Sequence, residues 1–280
     1  MMKKIIGFFL FLCLLLGGCA KNNQTVWRVS TLGSGEEINL PVAKNVGFCA
    51  AMLEKKVDKN ALMQRSITVD GETYVCPYIE TKYVPALNGP EMLKQRRTVD
   101  FYRSGEVDIG YFSGTDILSR FYNFTNTVKD GDCTEETVED YARNYLKLFY
   151  SDADDYSLDN IEREVDPRGT LYRALFIRKI HGISSTDGII IRLNLAGELY
   201  SLKAMDYQIF NGVNLSTEQV NEAKARLDAA IAENNLVPEG EVYVVMGDDG
   251  ELYLSVQASY YEAHNEEVGV TILEELFTRL

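Results

Sequence analysis

The 280-residue chain is poor in histidine, proline and tryptophan, with two, six and one of these residues. His181 and His264 lie in separate parts of the sequence and no His-Glu-x-x-His motif occurs, which argues against a zinc hydrolase or another histidine-rich metal site. Lys and Arg together number 28 against 42 Asp and Glu, so the formal net charge is −14. A surface that neutralises nucleic-acid phosphates is therefore not expected.

The common signatures of catalysis are also missing. The sequence contains no Gly-x-Ser-x-Gly, no Ser-x-x-Lys and no glycine-rich nucleotide loop. The acidic runs at 151–156 and 130–132 offer oxygen ligands of the kind that calcium prefers, but Tyr156 and Ser157 do not fit an EF-hand loop. A solvated acidic loop is favoured, and no pattern selects a catalytic pair of carboxylates. The sequence predicts no enzyme, no cofactor and no metal site.

The longest hydrophobic run lies at the N-terminus. It extends from Ile5 to Leu16, follows the basic residues Lys3 and Lys4, and is shorter than the roughly 20 residues that span a bilayer as a helix. The pattern is typical of a signal peptide. The alternative is an ordinary secretory signal or an uncleaved anchor with an incidental cysteine after the run.

The run ends in Leu16-Gly17-Gly18-Cys19, which resembles the lipobox of bacterial lipoproteins. The resemblance implies cleavage before Cys19 and a diacylglyceryl group on its thiol. Residues 1–18 are then the signal peptide, residues 19–25 a lipidated tether, and the protein is placed on the extracytoplasmic face of the cell membrane. Among the remaining cysteines, Cys49, Cys76 and Cys133, the sequence allows at most one disulfide or three buried thiols.

Residues 26–125 are predicted to form an N-terminal α+β domain. A helix with one apolar face is expected between Pro41 and Val57. Two hairpins follow, with turns at Asp70-Gly71 and at 103–106.

Two amphipathic helices begin about 80 residues apart, and each is followed by strand patterns. Apolar residues from Val138 to Phe149 mark the first helix, for which Asp132 and Glu135 are the predicted capping pair. Ser216 and Gln219 predict a capping box for the second. Strands are expected at 173–180, 188–195 and 198–204, and later around 242–246, 252–257 and 268–273. This order suggests an internal repeat, with units at 130–209 and 213–280.

The stretch Phe176-Ile177-Arg178-Lys179-Ile180-His181-Gly182-Ile183, followed by Asp187-Gly188 and Asn194-Leu195-Ala196-Gly197, resembles PepSY-like modules. The resemblance implies a cystatin-like fold and a non-catalytic module that inhibits, chaperones or regulates a partner. The second copy lacks a glycine matching Gly182. The expected fold class is α+β, with tandem units of one helix packed on a small antiparallel sheet, preceded by the N-terminal α+β domain.

Aromatic residues are abundant, with 17 Tyr and 12 Phe. Phe101, Tyr102, Tyr111 and Phe112 cluster around the second hairpin and are a possible surface for a ligand or partner, with core packing as the alternative. The function predicted is a membrane-anchored regulatory module for an envelope protein partner, such as a peptidase, sensor kinase or assembly. The alternative is a solute- or glycan-binding surface lipoprotein.

Overall fold

The structure is a computed structural model that describes residues 26–30, 63–83, 98–126, 129–166, 169–246, 251–263 and 269–280. The predicted signal peptide, Cys19, the tether and the helix expected between Pro41 and Val57 lie outside these ranges, as do Cys49 and His264. The described residues belong to two compact units. The larger unit lies within Ile38–Asn214 and Val242–Leu252, and the smaller within Met1–Glu37, Leu215–Glu241 and Tyr253–Leu280.

Strands dominate both units. In chain order the described elements are β1 (Val26–Ser30), β2 (Gln64–Val69), β3 (Glu72–Tyr83), β4 (Thr98–Ser104), β5 (Val107–Phe112), β6 (Leu118–Asn123), α1 (Val138–Phe149), a 3-10 turn (Ala153–Asp155), β7 (Tyr156–Asp166), β8 (Gly169–Ile180), β9 (Ile183–Asn194), β10 (Leu199–Met205), α2 (Thr217–Glu233), β11 (Val237–Pro238), β12 (Tyr243–Met246), β13 (Leu252–Ala263) and β14 (Gly269–Arg279).

Both predicted hairpins are confirmed. Asp70 and Gly71 have φ angles of 54° and 80° and join β2 to β3, where Val69 pairs with Glu72. Positive φ at both central residues is the geometry of the tight turn that Asp-Gly favours. Strands β4 and β5 pair in the same antiparallel manner. The strands expected at 173–180, 188–195 and 198–204 are also present, as β8, β9 and β10.

The predicted fold class is wrong. Strand β10, from the expected first helix-on-sheet unit, pairs with β6 from the expected N-terminal domain, with Ser201 opposite Tyr122. In the larger unit the strands therefore form one large sheet, in the order β12-β9-β10-β6-β5-β4-β3-β2, with β8 and β7 continuing from β9. Strand β12 is parallel to β9 whereas the others are antiparallel, so the sheet is mixed.

The smaller unit also departs from a self-contained repeat. Strand β1 pairs with β14, with Trp27 opposite Phe277, so an N-terminal strand completes the sheet on which α2 packs. The predicted capping box of α2 is confirmed, because the Gln219 N–H donates to Ser216 Oγ and the Ser216 N–H donates to Gln219 Oε1. The residue boundaries of the predicted domains remain predictions.

Helix α1 covers one face of the larger sheet. Its predicted apolar face is confirmed, since Val138, Ala142, Tyr145 and Leu146 are buried. The helix contacts β8 and β9. Its predicted cap at Asp132 and Glu135 is wrong: the helix begins after Thr137, which makes no side-chain capping bond.

Gly197, with φ of 76°, lets the ring of Tyr141 lie over the β9–β10 turn, because a Cβ there would approach that ring to 2.6 Å.

Candidate functional site

Alternation along the strands gives the larger sheet two different faces. In β9, Ile189, Ile191 and Leu193 are fully buried in the core that α1 covers, and Arg192 points the opposite way. We call the side away from α1 the open face. Besides Arg192, four other residues define it by the same alternation: Arg120, Tyr122, Arg173 and Lys203.

Strand register brings the basic residues of the open face together. Lys203 lies directly opposite Arg120, and Arg192 lies directly opposite Arg173. Directly opposed residues have Cβ atoms only about 5 Å apart. An acidic chain therefore gathers four cationic side chains on neighbouring strands of one face.

Two of these cations form ion pairs with carboxylates of β7. Arg192 binds Glu164 in a bidentate manner, with Nε to Oε2 at 2.7 Å and Nη2 to Oε1 at 3.2 Å. Arg173 Nη1 lies 3.0 Å from a carboxylate oxygen of Glu162. Both pairs are partly exposed, so each contributes little to the free energy of unfolding.

The other two cations, Arg120 and Lys203, form no ion pair with any residue in the described part of the chain. Arg120 Nε is buried, and no described residue accepts a hydrogen bond from it. Burial, together with the charges of Arg120 and Arg192, lowers the pKa of the Lys203 ammonium below its usual value. Holding like charges together in a partly desolvated place costs free energy that a bound anion would offset.

Aromatic rings surround the Arg120 guanidinium. Its Cζ lies 4.6 Å from the ring centre of Tyr122 and 5.3 Å from that of Phe101, which is within the range of cation–π attraction. Tyr122 stacks on Phe124 with ring centres 5.8 Å apart, and Phe124 meets Tyr200 edge to face at 6.4 Å. The open face thus combines fixed positive charge with flat apolar surface.

An open groove of about 430 Å³ lies on this face beside Arg192 and Tyr122. Its volume is in the range of sites for small molecules or short peptide segments. Val165 at its wall is 79% exposed. The lining residues are Tyr122, Glu164, Val165, Leu171, Arg192, Tyr200 and Ser201.

The structure places the four aromatic residues proposed from the sequence in the interior. Phe101, Tyr102, Tyr111 and Phe112 are 9%, 1%, 9% and 1% exposed, and all belong to the hydrophobic core of the larger unit. They do not form an exposed aromatic surface. Phe101 contributes to the open face only by lying against Arg120.

A second polar cluster lies on the covered side of the same sheet. Asp187 is fully buried and accepts hydrogen bonds from Tyr156 Oη at 2.6 Å and from the Gln208 N–H at 3.0 Å. Arg178 Nη1 is 3.8 Å away. Burial raises the pKa of Asp187 to about 7, against the smaller opposing effects of these partners.

The acidic run at 151–156 is not wholly a solvated loop. Asp152 is half-buried, and its carboxylate accepts hydrogen bonds from Tyr207 Oη and from Gln208 Nε2, the latter at 3.2 Å. The same residue, Gln208, contacts Asp187 through its backbone. The run therefore helps to fix the turn after β10, and no cluster that suits a metal ion is found within the described ranges.

The two cysteines that the structure describes, Cys76 and Cys133, are buried free thiols. Burial raises the pKa of both thiols.

Neither described α-helix has the length and apolar character needed to cross a membrane.

Comparisons with known proteins show a distant similarity. No family model and no curated protein matches the chain. Among solved structures, the chain is similar to the YpeB C-terminal domain of Bacillus megaterium, with 12% identity over 72% of this chain and 89% of that chain, and a TM-score of 0.37. A similarity at this level carries no argument about function, and the resemblance to PepSY-like modules remains a prediction.

Proposed function

We propose that the protein is a membrane-anchored, extracytoplasmic binding module that regulates an envelope protein partner, such as a peptidase, sensor kinase or assembly, without catalysing a reaction. The observation that supports this proposal is the open face, where Arg120 and Lys203 lie beside the rings of Tyr122 and Phe124 without described carboxylate partners. Arginine and tyrosine are the residue types that most often dominate binding energy at protein interfaces.

The geometry of these side chains supports binding. The cross-strand neighbours of the open face are fixed by the hydrogen-bonded register of β6, β10, β9 and β8. Side chains held on a sheet lose less conformational entropy on association than side chains on a loop. A partner therefore meets a surface that is already ordered.

Membrane attachment is proposed to occur through Cys19. Two acyl chains provide the double signal that stable anchoring requires, and the tether of residues 20–25 spans at most about 20 Å. Cys19→Ser is expected to abolish metabolic labelling by a radioactive fatty acid and to release the protein from the membrane fraction. Labelling that persists in this variant would refute the anchoring proposal.

Binding through the open face is testable by photo-crosslinking. A photoreactive amino acid is introduced into the full chain at Val165, at the groove wall, and in a second version at Leu148, which is 57% exposed on α1. Both versions are irradiated in the membranes of the producing cells. We expect a discrete protein adduct from position 165 that position 148 does not give. No adduct, or the same adducts from both positions, would contradict the proposal.

A solute- or glycan-binding role is the second candidate, favoured by the groove of about 430 Å³ with Tyr122 and Tyr200 in its lining. Aromatic rings stack on the apolar faces of sugars. This role predicts that cell-wall glycan fragments raise the melting temperature of the full chain and that Tyr200→Ala removes the increase. An unchanged melting temperature at millimolar glycan would contradict it.

A further inference from the structure

We propose that Arg120 and Lys203, here called the cation pair, form a carboxylate-binding site whose occupant is an acidic residue in a peptide segment of the partner protein, next to an aromatic residue of that segment. This inference rests on the proposed function and names the chemistry of its partner. The occupant supplies the negative charge that the described part of the chain does not.

The first support is the electrostatic state of the cation pair. The two residues are directly opposite each other on β6 and β10, and neither has a described carboxylate partner, unlike Arg173 and Arg192 on the neighbouring strands. Both are partly buried. Like charges in a partly desolvated place repel each other, so an anion placed between them is attracted by both.

The second support is the shape of the donor groups. The Arg120 guanidinium is held against the rings of Tyr122 and Phe101, and its buried Nε has no described acceptor. The Nε–H is shielded, so the two outer Nη groups are the donors that can make two parallel hydrogen bonds to one carboxylate. Lys203, directly opposite Arg120 on β10, adds a second positive charge that attracts the same carboxylate.

The third support is the charge around the cation pair, which disfavours a polyanion. Glu162 and Glu164 lie on the same face, paired with Arg173 and Arg192, and the whole chain carries a formal charge of −14. Closely spaced negative charges, as in a phosphate polymer, would meet these carboxylates and the acidic remainder of the protein. One isolated negative charge between neutral residues meets only the cation pair.

The fourth support is the apolar surface next to the cation pair. Phe124 is 37% exposed and stacks on Tyr122, whose ring centre lies 4.6 Å from Cζ of Arg120. Large apolar side chains that remain exposed beside a charged site are typical of protein-binding surfaces. An aromatic residue next to the acidic residue of the partner would pack against this surface.

Fluorescence anisotropy with the full chain in detergent micelles tests the inference. The probe is a fluorescently labelled, end-blocked Gly-Phe-Glu-Phe-Gly peptide, and its control carries Gln in place of Glu. We expect the Glu peptide to bind at least about tenfold more tightly than the Gln peptide, which corresponds to about 1.4 kcal/mol. Arg120→Gln and Lys203→Gln should each remove most of this preference, whereas Lys147→Gln on the exposed side of α1 should leave it unchanged.

Several outcomes would overturn the inference. Equal affinity for the two peptides, or an equal loss in the Lys147→Gln variant, would show that the cation pair does not recognise a carboxylate. Competition by inorganic polyphosphate at lower concentration than the free Glu peptide would assign the site to another anion.

The thermal melting of each variant by circular dichroism shows whether it remains folded. Arg120→Lys, which keeps the charge without the planar fork, should show an intermediate preference.

Failure of this inference can be distinguished from failure of the proposed function. If position 165 still gives its discrete adduct in the Arg120→Gln, Lys203→Gln double variant, the protein binds a partner through the open face but not through a carboxylate on the cation pair. If neither variant nor wild type gives an adduct while the Glu peptide is recognised, the cation pair binds carboxylates and the partner-binding role is wrong.

Discussion

The two faces of the larger sheet differ in whether their charged groups have partners, and strand β9 contributes residues to both faces. On the covered face it carries Asp187, whose carboxylate accepts hydrogen bonds from Tyr156 and from the Gln208 backbone. On the open face it carries Arg192, which lies near a cation pair with no described carboxylate partner. The Asp187 carboxylate is occupied in holding the fold together, whereas Arg120 and Lys203 on the open face have no described carboxylate partner.

The largest expected contrast comes from two adjacent residues of β6. Phe121 is fully buried in the core and Tyr122 lies on the open face. We expect Phe121→Ala to lower the free energy of unfolding by about 4 kcal/mol, through lost burial and the cavity it leaves. Tyr122→Ala should cost about 1 kcal/mol or less in unfolding but should abolish binding at the groove. Urea denaturation of the two variants measures the difference, and equal losses would show that the two faces are not distinct.

The second contrast concerns pH. The folded Asp187 carboxyl titrates at about 7 and an unfolded aspartate near 3.8, so between these values the folded state binds more protons than the unfolded state. The contribution of Asp187 to stability is therefore fully present below about pH 4 and is lost as pH rises toward 7. Between pH 5 and pH 7.5 the loss should be about 2.5 kcal/mol, at about 1.4 kcal/mol per pKa unit.

Asp187→Asn supplies the control for this pH effect, because the amide cannot ionise but still presents an acceptor to Tyr156. Other carboxylates also titrate in this range, so the quantity to compare is the difference in unfolding free energy between wild type and Asp187→Asn at each pH. A difference that does not change between pH 5 and pH 7.5 would refute the assignment. The open-face residue pairs should not contribute to it.

The third contrast concerns how closely helix α1 packs against the β9–β10 turn on the covered face. Gly197→Ala places a Cβ within 2.6 Å of the Tyr141 ring at a φ of 76°, so both steric overlap and backbone strain are expected. We expect a loss of about 2 to 3 kcal/mol in unfolding free energy. Gly105→Ala, at a φ of 57° with no neighbour within 4 Å, isolates the backbone strain and should cost about 1 kcal/mol. Similar losses in both variants would indicate that Tyr141 moves aside freely.

The sequence predicts local features of this molecule well. The Asp70-Gly71 turn, the apolar face of α1 and the capping box of α2 each depend on residues a few positions apart, and all three are present. The pairing of β10 with β6 joins residues about 80 positions apart. No local pattern specifies that pairing, which is why a tandem arrangement of small units was expected instead.

The candidate site was only partly predictable for the same reason. The four aromatic residues that the sequence singled out around the second hairpin are buried, and the rings on the open face, Tyr122 and Phe124, belong to the segment that follows it. The cations did not stand out, because Arg120, Lys203 and Arg192 are single basic residues in separate strands. Alternation with buried neighbours identifies each as facing away from the core, but only the register of β6, β10 and β9 places them together.

The smallest expected effect comes from the ion pairs on the open face. Arg192 and Glu164 have side chains that are 25% and 33% exposed, so solvent screens their attraction even though the contact is bidentate. Arg192→Gln should therefore lower the unfolding free energy by only about 0.5 to 1 kcal/mol, a loss measurable by urea denaturation at low ionic strength and smaller at high salt. The same change removes the positive charge of Arg192 that acts on Lys203 and leaves Glu164 with only its 4.0 Å contact to Arg173 Nε, so the open face should attract a carboxylate less strongly. We therefore expect Arg192→Gln to weaken binding of the Glu peptide more than it weakens the fold. A variant that loses stability by several kcal/mol but binds the peptide normally would mean that the open face serves the fold and not a partner.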